Sequence, residues 1–280
     1  MPRIYFGLFS LALLLYSTSA QTTPPPSDPQ AVAFAQQGIA ALTGGTQITD
    51  VTLSGNVNWI VGTDSELGTA TLLASGTGES RMDLVLASGT RTEIRDNQTG
   101  VPLGKWVSPA GASGMIGLQN MMTDAAWFFP VLGSLAAGNN VVLSYVGQET
   151  RGGQDVQHIQ SYVFQPADAS SSAPSAKRSS RAALSAAGTP VFSMQSLTTM
   201  DFYLDPATLV PVAVTFNSHP DDSAQGNLLT EIDFSNYQSQ NGGLVPMHIQ
   251  RFLQGNLQAD ITITTVAFNT GLPLSDFTIN

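Results

Sequence analysis

Residues 228–279 read LLTEIDFSNYQSQNGGLVPMHIQRFLQGNLQADITITTVAFNTGLPLSDFTI, and this stretch decides the fold. Two turn signals, Asn241-Gly242-Gly243 and Gly255-Asn256, divide it into three segments. In the first segment, Ile232 and Phe234 alternate with polar residues, a period of two that is typical of a strand with one face in solvent. The other two segments repeat the alternation, so the stretch predicts an antiparallel meander.

The register of each hairpin follows from keeping the apolar residues on one face, because a one-residue slip moves every side chain to the other face. For the last hairpin we predict a three-residue loop, Gln254-Gly255-Asn256, with Asn256 in the left-handed conformation. For the first hairpin we predict a two-residue Asn241-Gly242 turn. The predicted pairs are Leu253–Leu257, Ile249–Ile261 and Met247–Ile263 in the last hairpin, and Phe234–Ile249 and Asn236–Met247 in the first.

The first twenty residues have the pattern of a secretory signal peptide. Arg3 supplies the positive charge, residues 4–16 form an apolar core, and Thr18-Ser19-Ala20 forms a small-residue cleavage site. The alternative is an uncleaved membrane anchor, but the apolar run is shorter than the roughly 20 residues of a span. We therefore predict cleavage after Ala20, a Pro-rich spacer at 21–29, one domain at 30–280 and a periplasmic or secreted location.

Composition narrows the class of partner. The net charge is −10, and loss of Arg3 with the signal makes it −11, which argues against binding to nucleic acid. The chain contains no cysteine, so it has no disulfides and no thiolate metal site, and it lacks the residue that a bacterial lipoprotein acylates. A large packed core must hold the domain together.

Upstream, the pattern predicts one helix followed by many strands. Asp28 can cap a helix that begins at Pro29, carries an apolar stripe of Val32, Ala35, Ile39 and Leu42, and ends at Gly44-Gly45. Short strands separated by glycine-containing turns predict a mainly β, up-and-down antiparallel sheet, and the apolar stripe of the helix needs the surface of that sheet to cover it. Gly55 marks a bend or bulge within the first strand. The predicted strands are 48–60, 68–74, 80–87, 90–96, 102–107, 140–149, 155–164, 190–205 and 211–217.

Residues 111–138 are rich in methionine and aromatic side chains and predict two short helices, 115–124 and 125–137. One interpretation is that they fill the concave face as core. The other is that they line a pocket for a hydrophobic ligand, because methionine adapts to irregular shapes. The candidate ligand residues are Met115, Met121, Met122, Trp127, Phe128, Phe129 and Arg251.

Arg251 lies among the apolar residues of the meander, between Ile249 and Leu253. An inward arginine is costly unless it is paired or faces a water-filled cleft. The alternative is an edge position from which the side chain reaches solvent.

The rest of the sequence carries no catalytic or cofactor motif. Residues 167–188 are of low complexity and predict a flexible loop, because they cannot bury enough apolar surface to fold. His219-Pro220-Asp221-Asp222 could bind a metal but is typical of a turn. His158 and His248 lie in predicted strands, where a hydrogen-bonded histidine is the usual outcome.

The C-terminal motifs resemble the outer-membrane lipoprotein-sorting (LolA-like) superfamily over about the last eighty residues. The motifs are YLDP at 203–206, LVPV at 209–212, EIDFSNY at 231–237, GLVP at 243–246, QGNL at 254–257, FN at 268–269 and Phe277. The resemblance implies a periplasmic half-barrel whose concave side is covered by helices and can bind acyl chains or hydrophobic partners. The segment at 127–130 departs from the family pattern, and no ligand residue is carried over from the family.

Two hypotheses of function follow. The first is an exported, non-catalytic protein, monomeric and without a cofactor, that binds a lipid, an acyl chain or a lipid-bearing protein in the concave face. The second is a structural or protein-interaction module whose core is fully packed and takes no small molecule. A hydrolase is the least favoured, because no nucleophile or metal motif is present.

Overall fold

A computed structural model describes residues 23–98, 103–121, 123, 140–165, 194–220 and 226–279. The predicted signal peptide, the second central helix and the 167–188 loop lie outside these residues. Within them, thirteen strands form one antiparallel sheet: β1 (Asp50–Val61), β2 (Asp64–Ser75), β3 (Ser80–Leu86), β4 (Gly89–Asp96), β5 (Leu103–Val107), β6 (Ser113–Ile116), β7 (Val141–Arg151), β8 (Gln154–Val163), β9 (Met200–Leu204), β10 (Pro211–Ser218), β11 (Leu228–Gln240), β12 (Gly243–Leu253) and β13 (Asn256–Phe268).

The sheet is an up-and-down arrangement opened at one place. Its order is β6-β5-β4-β3-β2-β1-β13-β12-β11-β10-β9-β8-β7, so nearly all neighbours are consecutive in the chain. The exception is the antiparallel pair of β1 and β13, which joins the two ends of the domain. The strands β6 and β7 form the two open edges. The predicted curved antiparallel sheet is thereby confirmed.

The first hairpin of the meander has the predicted register. Asn241 and Gly242 form the two-residue turn with φ of 50° and 91°, and Phe234 lies opposite Ile249. Asn236 adopts a left-handed φ of 53° between the paired residues on either side.

The last hairpin differs from the prediction at its turn. Its loop is the two-residue Gln254-Gly255, with φ of 51° and 75°, and Leu253 pairs with Asn256 rather than with Leu257. The predicted left-handed conformation at Asn256 is therefore wrong. A bulge between Arg251 and Phe252 then shifts the register and restores the predicted Ile249–Ile261 pair. The apolar face is kept because the bulge leaves Gln258 unpaired in β13, which has the same effect on the register as a third residue in the loop.

Helix α1 (Pro29–Thr43) begins and ends where the sequence predicts. The Asp28 carboxylate accepts hydrogen bonds from the backbone N–H groups of Gln30 and Ala31, at 2.7 and 3.2 Å. Gly44 ends the helix in the left-handed conformation, at φ 62°. The Asp28 N–H also donates to the carbonyl of Leu143, at 2.8 Å, which anchors the start of the helix to β7.

The buried side of the helix differs in part from the predicted stripe. Ala35 and Leu42 are buried as predicted, whereas Val32 and Ile39 are only half-buried against the core. Helix α1 covers what we call the inner face of the sheet, the face that carries the hydrophobic core, with Phe202, Ile232, Phe234, Ile249 and Ile261 among its buried members. The opposite, polar side is the outer face.

Gly55 is the bulge that the sequence predicts. The pairing of β1 with β13 shifts between Ser54 and Gly55. A Cβ atom at Gly55 would collide with the backbone of Thr262 and Ile263. Only glycine allows the two strands to approach this closely.

Two predicted elements are corrected. Met115 lies in strand β6 rather than in a helix, and among the described residues of the predicted helix at 115–124, residues 118–121 are helical, as α2 (Leu118–Met121). The predicted strand at 190–205 is divided into α3 (Met194–Thr198) and β9. Short apolar runs do not distinguish a strand from one helical turn, because periodicity needs more residues to show. No helix among the described residues combines the length and hydropathy needed to cross a membrane.

Candidate functional site

A cleft of about 400 Å³ opens on the inner face beyond the end of the hydrophobic core. Three arginines line it, Arg91 and Arg95 from β4 and Arg251 from β12, and we call it the arginine cleft. Its volume lies within the range of small-molecule sites.

Strand β4 supplies a row of charges to the arginine cleft. Arg91, Glu93 and Arg95 are two residues apart, so their side chains lie on the same face of the strand. Arg91 Nη2 donates to Glu93 Oε1 at 2.7 Å, and Arg95 Nη2 lies 3.7 Å from Glu93 Oε2. Arg95 is 1% exposed, an unusual degree of burial for a charged side chain.

Arg251 reaches the arginine cleft from the meander. Arg251 does not lie on an edge strand, because β12 lies between β11 and β13. Its Nη1 donates to Gln258 Oε1 at 2.6 Å, and Gln258 sits at the bulge that shifts the last hairpin. Arg251 therefore faces a cleft, which is the other environment that the sequence allows for an inward arginine.

The described residues that line the arginine cleft carry more positive charge than negative charge. Burial would raise the pKa of Glu93, but the charges of Arg95, Arg91 and Arg251 act against burial and hold the pKa below its ordinary value. Glu93 is the single carboxylate among the described residues that line the cleft, against three guanidinium groups. The lining residues therefore carry a net charge of about +2 with His219 neutral.

Two tryptophans give the arginine cleft an aromatic wall. The Arg91 guanidinium lies over the Trp59 ring, 4.8 Å from its centroid, which is a cation–π contact. Trp106 lies opposite Glu93 in the ladder between β4 and β5. Gly114 makes room for this side chain, since a Cβ atom there would stand 2.9 Å from the Trp106 indole.

The floor of the arginine cleft contains a histidine held by backbone contacts. Asn120 donates to the His219 carbonyl at 2.6 Å and accepts from the His219 N–H at 2.8 Å. His219 Nδ1 lies 2.9 Å from the carbonyl of Gly226, which can only accept, so Nδ1 carries the hydrogen. The side chain is 5% exposed, and its Nε2 has no hydrogen-bond partner among the described residues.

The residues predicted to contact a ligand fall into three groups. Arg251 lines the arginine cleft. Met121 is buried beside Gly104, whereas Met115 is 53% exposed on strand β6. Met122, Trp127, Phe128 and Phe129 lie outside the described residues, as do Asp221 and Asp222 of the predicted turn. Ligand contact stays a prediction for all seven candidate ligand residues.

Most of the residues that line the arginine cleft are not predicted from the sequence. Arg91, Glu93 and Arg95 lie in a predicted strand, and their spacing of two places three charges on one face. A strand that carries three charges towards a core is the signal that could have revealed them. Trp59 and His219 gave no such signal, because their positions depend on strands far away in the sequence.

The outer face holds the remaining histidines, each with partners on both ring nitrogens, as the sequence predicts. His158 lies 2.7 Å from Glu149 and 2.9 Å from Asp201. His248 lies 3.0 Å from the Ser235 hydroxyl and 2.8 Å from Asp260. The second set has the residue types of a hydrolase triad.

The position of this Ser-His-Asp set favours a structural role. The ladder between β11 and β12 places Ser235 directly opposite His248, and Ser235 is exposed. Asp260 also accepts a hydrogen bond from Gln250 at 2.7 Å. These contacts are those of polar neighbours on adjacent strands.

The outer face also carries an acidic pair near the end of β7. Arg151 forms an ion pair with Glu231 and lies over the Tyr203 ring, 4.3 Å from its centroid. Burial, together with the hydrogen bond and charge of Glu231, raises the pKa of Asp233 to about 7. Asp233 is therefore largely protonated in mildly acidic solution.

Comparison with solved structures identifies the fold. A Vibrio parahaemolyticus domain named as an outer membrane lipoprotein-sorting protein aligns with a TM-score of 0.53 and 15% identity, over 89% of this chain and 96% of that chain. A LolA superfamily protein from Nitrosomonas europaea also has a TM-score of 0.53, with 11% identity over 89% of this chain and 97% of its own. A DUF1329 family protein from Desulfovibrio piger aligns with a TM-score of 0.53 and 11% identity, over 90% of this chain and 98% of that chain.

No protein-family model and no curated protein sequence matches the chain. At 11–15% identity the structural matches show the fold alone. The chain has a LolA-like fold, which is the fold that the resemblance implies.

Proposed function

We propose that this LolA-like chain is an exported, non-catalytic protein that binds a hydrophobic ligand or a lipid-bearing partner on the inner face of its sheet. The observation that carries the proposal is the arginine cleft. Protein interiors are close-packed and contain few voids larger than a water molecule. The arginine cleft is an opening of about 400 Å³ beside the core, a volume within the range of small-molecule sites.

The lining of the arginine cleft suits a partly apolar ligand. Trp59 and Trp106 provide large apolar surfaces, and Ile116, Leu228 and Leu253 add aliphatic ones. Tryptophan combines a large apolar area with few rotatable bonds, so contact with it costs little conformational entropy. One structural neighbour is named for lipoprotein sorting, which agrees with a ligand that carries acyl chains.

Export is the second part of the proposal. It rests on the predicted signal peptide at residues 1–20, with cleavage after Ala20 and release of a monomeric domain into the periplasm or the medium. The absence of cysteine is compatible with either location, because the fold then depends on no disulfide.

The proposal is tested on protein purified from the exported fraction without detergent. Native mass spectrometry should show a bound species of lipid mass that organic extraction removes. The extracted protein should then bind 1-pyrenedodecanoic acid, and Trp106→Ala should weaken this binding.

Leu67→Ala is the matched control, because Leu67 is 78% exposed and does not line the arginine cleft. Its affinity should equal that of the unmodified chain. Failure of the extracted chain to bind the acyl probe would refute the proposed function, and equal loss of affinity in both variants would refute the site.

A further inference from the structure

The arginine cleft concentrates positive charge in an acidic protein. The chain has ten lysines and arginines and a net charge of −10, yet three of the ten basic residues meet in this one cleft. They come from strands about 160 residues apart in sequence, β4 and β12. Scattered surface arginines would not converge in this way, because like charges repel when water is partly excluded.

The single carboxylate among the described residues that line the arginine cleft is already engaged. Glu93 accepts from Arg91 at 2.7 Å and lies 3.7 Å from Arg95, so its charge is shared between two guanidinium groups. The lining residues hold two positive charges beyond this carboxylate. An additional anion would therefore enter a positive potential, in a site that is partly shielded from solvent.

His219 is a second and independent sign that a ligand belongs here. His219 is 95% buried and is one of the residues that line the arginine cleft, and its Nε2 has no hydrogen-bond partner among the described residues. Buried polar atoms are nearly always hydrogen-bonded in folded proteins. With the hydrogen on Nδ1, the Nε2 atom is an acceptor and can accept a hydrogen bond from a protonated or hydroxyl-bearing ligand.

We infer that the arginine cleft recognises the anionic head, a phosphate or a carboxylate, of an amphiphilic ligand whose apolar chain lies against Trp106 and Ile116. Arginine suits this role, because its planar guanidinium matches both anions and remains charged at all relevant pH values. The cation–π contact with Trp59 restrains the Arg91 guanidinium, so less conformational entropy is lost when an anion binds. This inference rests on the proposed function and adds the chemical class of the ligand.

The test compares three probes on the exported chain after lipid extraction: dodecyl phosphate below its micelle concentration, dodecanol and inorganic phosphate. Isothermal titration calorimetry should show that dodecyl phosphate binds at least tenfold more tightly than dodecanol, because a charge-assisted hydrogen bond contributes about a factor of ten or more to the affinity. Its affinity should fall as salt is added, whereas that of dodecanol should not. Inorganic phosphate alone should bind at least tenfold more weakly than dodecyl phosphate.

Charge variants with opposite expected signs separate recognition from folding. Arg91→Gln and Arg251→Gln should each lower the affinity for dodecyl phosphate about tenfold and leave the affinity for dodecanol unchanged. Glu93→Gln should raise the affinity for dodecyl phosphate, because it removes the carboxylate that competes with the ligand for the arginines. Arg81→Gln is the matched control: Arg81 pairs with Asp83 and does not line the arginine cleft, so its affinity should not change.

Each outcome supports or overturns the inference. Equal affinity for dodecanol and dodecyl phosphate would overturn head-group recognition and leave the proposed function standing. Equal affinity for inorganic phosphate and dodecyl phosphate would overturn the amphiphile assignment in favour of a free anion. If neither dodecanol nor dodecyl phosphate binds, the proposed function fails, and this inference with it.

Discussion

Glu93→Gln changes one charge at the centre of the arginine cleft and should destabilise the fold. The glutamine keeps the size of the side chain and an acceptor oxygen for Arg91, but it removes the negative charge that lies between Arg91 and Arg95. Three guanidinium groups would then share one cleft without a carboxylate among the described lining residues.

The magnitude follows from the burial of the partners. At an effective dielectric constant of about 20, one ion pair at contact distance is worth roughly 4 kcal/mol before desolvation is counted. Breaking a fully buried pair costs about 3–5 kcal/mol, whereas exposed pairs contribute about 0–1 kcal/mol. The side chains of Arg95, Glu93 and Arg91 are 2%, 15% and 25% exposed, so we expect about 2–3 kcal/mol. For a domain of this size the Tm should fall by roughly 5–10 °C.

The sign of the pH dependence provides a sharper check. The pKa of Glu93 is lowered in the folded protein, so its contribution is fully present above the ordinary value of 4.5 and is lost as the pH falls through the lowered value. Urea unfolding at pH 7 should therefore separate Glu93→Gln from the unmodified chain, and the difference should shrink below pH 4.5.

Glu66→Gln is the matched control. Glu66 accepts from the Ser88 N–H at 2.9 Å, and a glutamine can do the same, so we expect a change within about 0.5 kcal/mol. An unchanged free energy of unfolding in Glu93→Gln at pH 7, or a difference that stays constant down to pH 2, would refute the reasoning.

Three further changes test other parts of the structure. The pKa of Asp233 is raised to about 7 from an ordinary value of 3.8, so the folded chain binds more protons than the unfolded chain in this range. The free energy of unfolding should therefore fall as the pH rises from 4 to 7, and Asp233→Asn should flatten this part of a urea-unfolding pH profile. Gly55→Ala should cost at least about 2 kcal/mol in urea unfolding, because the new Cβ collides with Thr262; an unchanged midpoint would contradict the close approach of β1 and β13. Asp28→Ala should cost about 1 kcal/mol by loss of the helix cap, measured by thermal unfolding, with Asp28→Asn as the control that keeps the cap.

The elements that the sequence predicts correctly are those whose signal is local. Asp28 and Gly44 mark the ends of α1, because capping depends on residues within one turn of the helix. The Asn241-Gly242 turn and the Phe234–Ile249 pair follow from the preference of that dipeptide for left-handed φ and from the alternation of the flanking residues. The long strands on either side are fixed by the same alternation.

The incorrect predictions occur where two different local backbone arrangements place the same residues on the apolar face. A three-residue loop and a two-residue loop with a bulge at Arg251 both keep Ile249 opposite Ile261, and the sequence does not distinguish them. Met115 is in a strand for a related reason. A run of four apolar or small residues fits either a strand or one helical turn, and pairing of β6 with β5 decides in favour of the strand.

Local patterns are enough to predict an antiparallel sheet with one apolar face, the helix that covers it, and an arginine on that apolar face. The meeting of Arg251 with Arg91 and Arg95, with His219 beside them, is seen only in the folded chain. The two kinds of feature differ in the sequence distance over which they act. Alternation and capping act over a few residues, whereas the charge of the arginine cleft arises where strands β4 and β12, about 160 residues apart, face one another across a curved sheet.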